Sequence, residues 1–483
     1  MEAIHGCNRA EMSVNMKNRK NNTALSVIYI FVGLFVLMMG YFSYFLLVKS
    51  DDVINSTYNL RHDVLAKRVI RGNIMSADGV VLAETIGDEE GKEVRSYPYD
   101  DMYANVVGRV TRGRTGIEEV ENITLLTSYS NSAAAMYNDL TGVKNPGNNV
   151  VSTLNHKLTK VAYDALGNNR GAVVVMEAKT GKILAMVSKP SYNPNDIELN
   201  WDKLSEDEKK ESPLINRASQ GLYPPGSTFK VLTALAYIRE NPDYGDYRYK
   251  CSGKTQYDGM TIHCNNNKAH GNVDLKDAFA KSCNTAFSTI GQALSIDNFR
   301  SLSESFFFNQ ALPARITNNP SSFMLKTGES GVKEAMQTAI GQGRTLISPL
   351  HNAMIAAAVA NGGVMMKPYV IDRIESAGGR VIKGYVPEEA GEVMTSKEAD
   401  YLKSLMRAVV TDGTASRLKN LSVKAAGKTG TAEQEGKDSH GWFIGFAPVN
   451  DPKIVISVIV ENKGSGSEYA VPIAEKVFDA YFN

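Results

Sequence analysis

Hydrophobic and polar positions change rhythm several times along the chain. Ala24 to Val48 carries no charge, about 37 Å as a helix against a bilayer core of about 30 Å, and predicts one membrane span. A cleaved signal peptide or a buried core helix would show the same run. It is long for a signal sequence, however, and no small-x-small cleavage site precedes Lys49. After a tail over 1–23 and the span over 24–48, residues 49–149 mix short strand-like runs with charged turns and predict a small domain. From Val150 the texture changes. Gly171 to Ala178 and Lys182 to Val187 are apolar runs about the turn Lys179-Thr-Gly181, a hairpin signal. Gly441 to Ala447 and Ile454 to Val460 are strand-like, and Ala470 to Phe482 has a helical period. Between them Phe229 to Arg239, Leu275 to Leu294 and Leu350 to Ala360 predict helices. This order predicts an α+β domain over 150–483, with a sheet built from both ends around a helical insert.

At 483 residues, 43% hydrophobic and 22% charged, the chain is long enough for two or three domains. Basic and acidic residues balance, 53 against 52, so no nucleic-acid partner is expected from bulk charge. Lys17, Arg19 and Lys20 precede the span, and Asp51 and Asp52 follow Lys49. The positive-inside rule therefore puts the N-terminus in the cytoplasm and the body from about residue 50 outside. Four cysteines are too few for a disulfide framework.

Candidate chemistry lies in the larger domain. In Tyr223-Pro-Pro-Gly-Ser-Thr-Phe-Lys230 two prolines and a glycine precede an apolar run, which places Ser227 at a helix start with Lys230 on the same face. Depression of the Lys230 pKa by burial would let its amine take the serine proton, and the helix end would favour an oxyanion. The pair alone is weak, since a serine cap followed by lysine arises by chance. Two further motifs follow, Ser282-Cys283-Asn284 and Lys428-Thr429-Gly430-Thr431. S-x-x-K, S-x-N and K-T-G in that order are the signature set of penicillin-binding proteins and serine β-lactamases.

The wide spacing resembles the transpeptidase domain of class B penicillin-binding proteins. So do Gly181-Lys-Ile-Leu-Ala-Met-Val-Ser-Lys-Pro190, Gly341-Gln-Gly343 and Gly441-Trp-Phe-Ile-Gly-Phe446. Arg71-Gly72-Asn73-Ile74 and Asp78-Gly79 are similar to the opening of the class B pedestal or dimerisation domain. Ser76-Ala77 replaces the family's Asp-Arg pair there, and Thr153-Leu-Asn-His156 replaces Leu-Thr-Ile-Asp; both departures concern how the small domain is braced.

The resemblance implies a serine β-lactamase-like sheet flanked by helices, and a membrane-anchored peptidoglycan D,D-transpeptidase inhibited by β-lactams. Ser227 would be the nucleophile on D-alanyl-D-alanine stem peptides and Lys230 its proton acceptor. Ser282 would relay the proton, and Asn284 would bond the peptide amide. Lys428, Thr429 and Thr431 would hold the terminal carboxylate. Backbone N–H groups of Ser227 and Thr431 would form the oxyanion hole, with Gly430 keeping the strand edge open. Catalysis requires no cofactor. A separate glycan polymerase of the shape, elongation, division and sporulation (SEDS) family is the implied partner. The alternatives are a D,D-carboxypeptidase or β-lactamase, for which the anchor and extra segment are unexpected, and a non-catalytic scaffold, against which the intact motifs argue.

Cys251, Cys264 and Cys283 fall in one window with His263 and His270. One reading is a Cys251–Cys264 disulfide with Cys283 free; another is no bond at all. A third is zinc held by Cys251, Cys264, His270 and Cys283, a closed Cys₃His set. Elongation-type penicillin-binding protein 2 is similar, its last metal ligand being the middle residue of the second motif, here Cys283. His440 reads as a core or edge histidine, and Glu198-Leu199-Asn200 as a chance echo of the β-lactamase glutamate loop.

Overall fold

A computed structural model describes residues 3–49, 61–87, 92–129, 132–208, 210–434 and 436–483. Asp51 and Asp52, and the side chains of Lys17, Arg19 and Lys20, lie outside the described residues. Among the described residues one helical stretch, Ala24–Lys49, is long and apolar enough to cross a membrane, and none of it is buried. The chain from Asp63 to Asn483 forms a second compact unit.

That unit is α+β. Its main sheet has five antiparallel strands in the order Ala426–Gln434, Lys437–Ala447, Ile454–Val460, Gly171–Glu177 and Ile183–Lys189. The hairpin about Gly181 forms as its pattern predicts, with Val173 opposite Val187. Every residue of Ile454–Val460 is buried, because helices cover the sheet and leave no polar face. Pro349–Ala360, apolar but for His351 and Asn352, is buried over its whole length. Gly466–Phe482 packs on the sheet together with His156–Leu166.

A second, six-stranded sheet crosses the expected domain border. Ile74–Met75, Val81–Gly87 and Glu93–Ser96 come from the small domain, and Asn149–Ser152 spans the border itself. Ile371–Glu375 and Val381–Gly384 arrive from deep in the larger one. Ile371 pairs with Ser152 and Ile374 with Val150. The two segments therefore share a core rather than meeting at a linker.

Arg71, which opens the small domain, donates from Nε to Glu118 Oε2 at 2.7 Å, and Arg95 Nε reaches Oε1 at 2.7 Å. Burial alone would raise the Glu118 carboxyl, but the two guanidiniums hold it below its ordinary range. The departures from the family pattern supply their own bracing. Ser76 Oγ accepts from Val80 N at 2.9 Å, Asp78 Oδ1 accepts from His156 N at 3.0 Å, and Asn155 Oδ1 caps the following helix through Leu158 N at 2.8 Å.

Candidate active site

Ser227 lies inside a tight turn, Gly226–Phe229, that runs straight into the helix Lys230–Glu240. Pro225 and Phe229 occupy the cap positions, so the serine does not cap the helix. Three backbone segments meet at this turn. Gly226 N donates to Gly341 O at 2.9 Å, and a Cβ on Gly341 would stand 1.8 Å from Gly226 O. A Cβ on Gly226 would stand 2.6 Å from Thr431 O. Both glycines have positive φ, +53° and +75°, which a side chain would resist. Behind the turn Asn352 Nδ2 donates to Thr228 Oγ1 at 3.1 Å, and Trp442 Nε1 to Pro224 O at 3.0 Å.

The helix expected over Leu275 to Leu294 is broken. Leu275–Ala280 and Asn284–Ala293 are separate helices, and Ser282 between them has φ of +55°. A left-handed serine costs about 1–3 kcal/mol and needs surrounding structure to hold it. Here Cys283 N donates back to Ala278 O at 2.8 Å. The break presents Ser282 Oγ to two lysines. Lys428 Nζ lies 2.8 Å from it and Lys230 Nζ 3.4 Å. Lys230 Nζ also donates to Ser282 O at 2.9 Å and Asn284 Oδ1 at 2.8 Å.

Both lysines are fully buried, and among the described residues neither has a carboxylate partner. The Lys230 amine lies 5.4 Å from the Phe287 ring centre, and that of Lys428 lies 5.6 Å from Phe279. Burial pushes Lys230 down to about 8, partly offset by the sulfurs of Cys283 and Cys264. Burial, and then the charge of Lys230, holds Lys428 well below the usual lysine range. One buried pocket thus contains an amine depressed toward neutral pH beside a hydroxyl that can pass a proton.

Ser227, Ser282, Asn284, Thr429, Gly430 and Thr431 line one cleft of about 620 Å³. Gly430 has a further reason to lack a side chain. Its Cβ would meet Pro225 O and Trp442 Cβ at 3.0 Å and Thr228 Cγ2 at 3.1 Å, so its bareness seats the Ser227 turn against the strand. Thr414, Gln342 and Glu433 also line the cleft, and sequence reasoning did not single them out as site residues. Thr414 Oγ1 lies 2.5 Å from Thr429 Oγ1. Glu433 continues the alternation of Thr429 and Thr431, a period-2 signal present in the sequence. His440 is buried, bonded to Asn462 N at 3.1 Å and to Gln434 at 2.7 Å, and so is a core histidine. Glu198 pairs with Arg112 on the surface.

Cys251, Cys264, His270 and Cys283 converge behind the second motif, their candidate ligand atoms all within 4.8 Å of one another. Cys264 Sγ lies 3.7 Å from both Cys251 and Cys283, and Cys251 Sγ lies 3.4 Å from His270 Nδ1. All three thiols are free, at separations far beyond the roughly 2.05 Å of a disulfide. A tetrahedral zinc with bonds of about 2.3 Å to sulfur and 2.0–2.1 Å to nitrogen sets sulfurs about 3.8 Å apart and sulfur from nitrogen about 3.6 Å. The four residues present fit that group. The loop between Cys264 and His270 also lines the cleft through Asn265, Asn266 and Lys268, and Asn284 Nδ2 donates to His263 O at 2.9 Å.

Comparison with known proteins places the two domains in a family. Residues 171–479 match the penicillin-binding protein transpeptidase domain, and residues 71–150 match the penicillin-binding protein A dimerisation domain. The chain is 32% identical over 463 residues to the peptidoglycan D,D-transpeptidase PbpA of Mycolicibacterium smegmatis, covering 87% of this chain and 92% of that one. An imipenem acyl-enzyme structure of penicillin-binding protein A from M. tuberculosis superposes with a TM-score of 0.79 at 30% identity, covering 87% of this chain and all of the other. The D,D-transpeptidase domain of a peptidoglycan glycosyltransferase from Eggerthella lenta gives 0.78 at 30%, covering 86% and 98%. Motif geometry, both domain matches and relatives aligned over most of its length agree that the chain belongs to the penicillin-binding protein transpeptidase family.

Proposed function

We propose that the protein is a membrane-anchored peptidoglycan D,D-transpeptidase that crosslinks stem peptides through an acyl-enzyme on Ser227. The observation that carries this reading is the convergence of Lys230 and Lys428 on Ser282 Oγ beside the Ser227 turn. Ser227 Oγ forms the bond to the penultimate D-alanyl carbonyl as Lys230 takes its proton. The bond to the terminal D-alanine breaks, and Ser282 hands a proton to the departing amine. Asn284 bonds the peptide amide, while Lys428, Thr429 and Thr431 hold the terminal carboxylate. The N–H groups of Ser227 and Thr431 receive the oxyanion. An amine from a neighbouring stem then displaces Ser227.

Cys251, Cys264, His270 and Cys283 would hold a structural zinc, which supplies cross-linking of the loop to the second motif and no chemistry on the peptide. Cys283 sits between Ser282 and Asn284, so these four residues orient both functional side chains from behind. Ala24–Lys49 is read as the anchor, with the catalytic body extracytoplasmic, and a SEDS-type glycan polymerase is the proposed membrane partner.

Intact mass spectrometry after incubation with a penicillin tests the reading. A persistent single adduct that Ser227→Ala abolishes is expected. An adduct that forms and vanishes within seconds would instead make the protein a β-lactamase, and no adduct in either protein would favour a scaffold.

A further inference from the structure

The strand Ala426–Gln434 is the edge of the main sheet. Its residues alternate between two environments. A Cβ at Gly430 would face Pro225, Thr228 and Trp442, and Ala432 is buried. Thr429, Thr431 and Glu433 take the other positions, and all three line the cleft with Ser227. Glu433 is exposed there. Pairing with the next strand slips between Ala432 and Gln434, the kind of irregularity that re-aims a side chain beside a site.

Among the described residues the cleft wall contains two carboxylates, Asp412 and Glu433, and two surface lysines, Lys268 and Lys281. Asp412 accepts from Thr411 Oγ1 at 2.6 Å. Glu433 has no hydrogen bond or ion pair among the described residues, so its charge is free to meet a ligand.

The direction in which a donor peptide lies follows from the same contacts. Lys428 reaches Ser282 and Thr429 reaches Thr414 at one end of the strand, where the proposed function puts the terminal carboxylate. The Ser227 turn abuts Thr431 through Gly226, which sets the scissile carbonyl at that level. The chain toward the peptide's N-terminus then runs past residue 433, about 6.7 Å further along a strand. The residue that precedes the D-alanyl pair lies alongside Glu433.

We propose that Glu433 is a specificity-determining residue that recognises a side-chain amine on the residue preceding the D-alanyl pair of the acyl donor. This rests on the transpeptidase reading of the cleft. Glu433 makes no contact with the reacting atoms; it selects donors by charge. An exposed pair of this kind gives a modest, salt-sensitive preference.

The test uses the full chain in detergent with two depsipeptide donors, Nα-acetyl-lysyl-D-alanyl-D-lactate with its ε-amine free or acetylated. Acylation of Ser227 is read by intact mass and by lactate release. Wild type is expected to prefer the free amine by about three- to fivefold in kcat/KM at low salt, through KM, with the preference shrinking as salt rises. Glu433→Gln should erase the preference and Glu433→Lys should invert it. The same donor ratio in wild type and Glu433→Gln, including equal slowing of both donors, overturns the inference while leaving the transpeptidase reading intact. Absence of any Ser227 acyl-enzyme with both donors and with penicillin overturns both.

Discussion

Lys428 Nζ donates to Ser282 Oγ at 2.8 Å across 146 positions of sequence, and the contact exists because the Ser282 backbone is left-handed. The helix pattern of Leu275 to Leu294 is interrupted at the one residue that must face both buried amines. Backbone strain at this serine and proton transfer in the cleft are therefore two aspects of one feature.

Replacement of Ser282 separates them. Ser282→Ala and Ser282→Gly both remove the shared hydroxyl and should slow acylation by penicillin by about 10²–10³-fold, in the range expected for loss of a proton-transfer group. Glycine tolerates positive φ, so Ser282→Gly should be more stable than Ser282→Ala by about 1 kcal/mol in urea unfolding. Equal stabilities would show that the left-handed backbone is unstrained.

Acylation should depend on pH through Lys230. An amine lowered to about 8 is neutral in roughly a tenth of molecules at pH 7, against about 0.03% at the usual lysine value. The acylation rate of Ser227 should rise about tenfold per unit below pH 8 and level off above it, as stopped-flow acylation with a chromogenic cephalosporin will show. Stability follows with a definite sign. The folded amine binds its proton less tightly than the unfolded one, so the penalty is fully present below about 8 and fades as pH rises toward about 10.5. Lys230→Met removes this titration, so wild type should gain stability relative to the variant as pH rises from about 8 toward about 10.5, with a constant difference between the two below about 8.

Two glycines should respond differently to a methyl group. Gly341→Ala drives a Cβ to 1.8 Å from Gly226 O at a φ of +75°, and neither backbone can yield. It should destabilise by about 3 kcal/mol or more and lower yield and Tm together. Gly430→Ala meets contacts of 3.0 Å, which a few tenths of an ångström relieve. It should fold with a small loss of Tm while acylation falls about tenfold, because the atoms that give way belong to the Ser227 turn. Penicillin acylation rates alongside thermal unfolding distinguish the two.

The cysteine cluster should bind one metal per chain when the protein is purified under reducing conditions, as elemental analysis would show. Cys264→Ser should lower metal content and Tm by several degrees. Removal of the metal by a chelator should slow acylation without abolishing the penicillin adduct, since none of the four ligands takes part in the bond changes at Ser227, although His270 stands in the cleft wall.

Much of this was legible in the sequence for physical reasons. The hairpin about Gly181 and the strand Ile454–Val460 announce themselves because turn chemistry and continuous apolar runs are local signals. The three motifs name six of the residues that line the cleft, together with the two buried lysines, because each is a short contiguous string. The break at Ser282 was not legible, since Leu275 to Leu294 contains no proline and its glycine, Gly291, lies elsewhere. The turn is held by tertiary contacts, among them Gly413, whose Cβ would stand 2.1 Å from Ala280 O. The second role of Gly430 was hidden for the same reason: Pro225 and Trp442 are its neighbours only in space. Pairing of Ile371–Glu375 with Asn149–Ser152 is likewise a meeting of residues more than two hundred positions apart.

That pairing has a practical outcome for anyone trimming the protein. A fragment starting at Val150 would keep all three motifs yet remove Ile74–Met75, the parallel neighbour of Asn149–Ser152. Ser152, Val151 and Val150 would then form a bare, sticky rim, the raw material of edge-to-edge aggregation. A soluble catalytic fragment that stays monodisperse in solution has to begin ahead of Arg71.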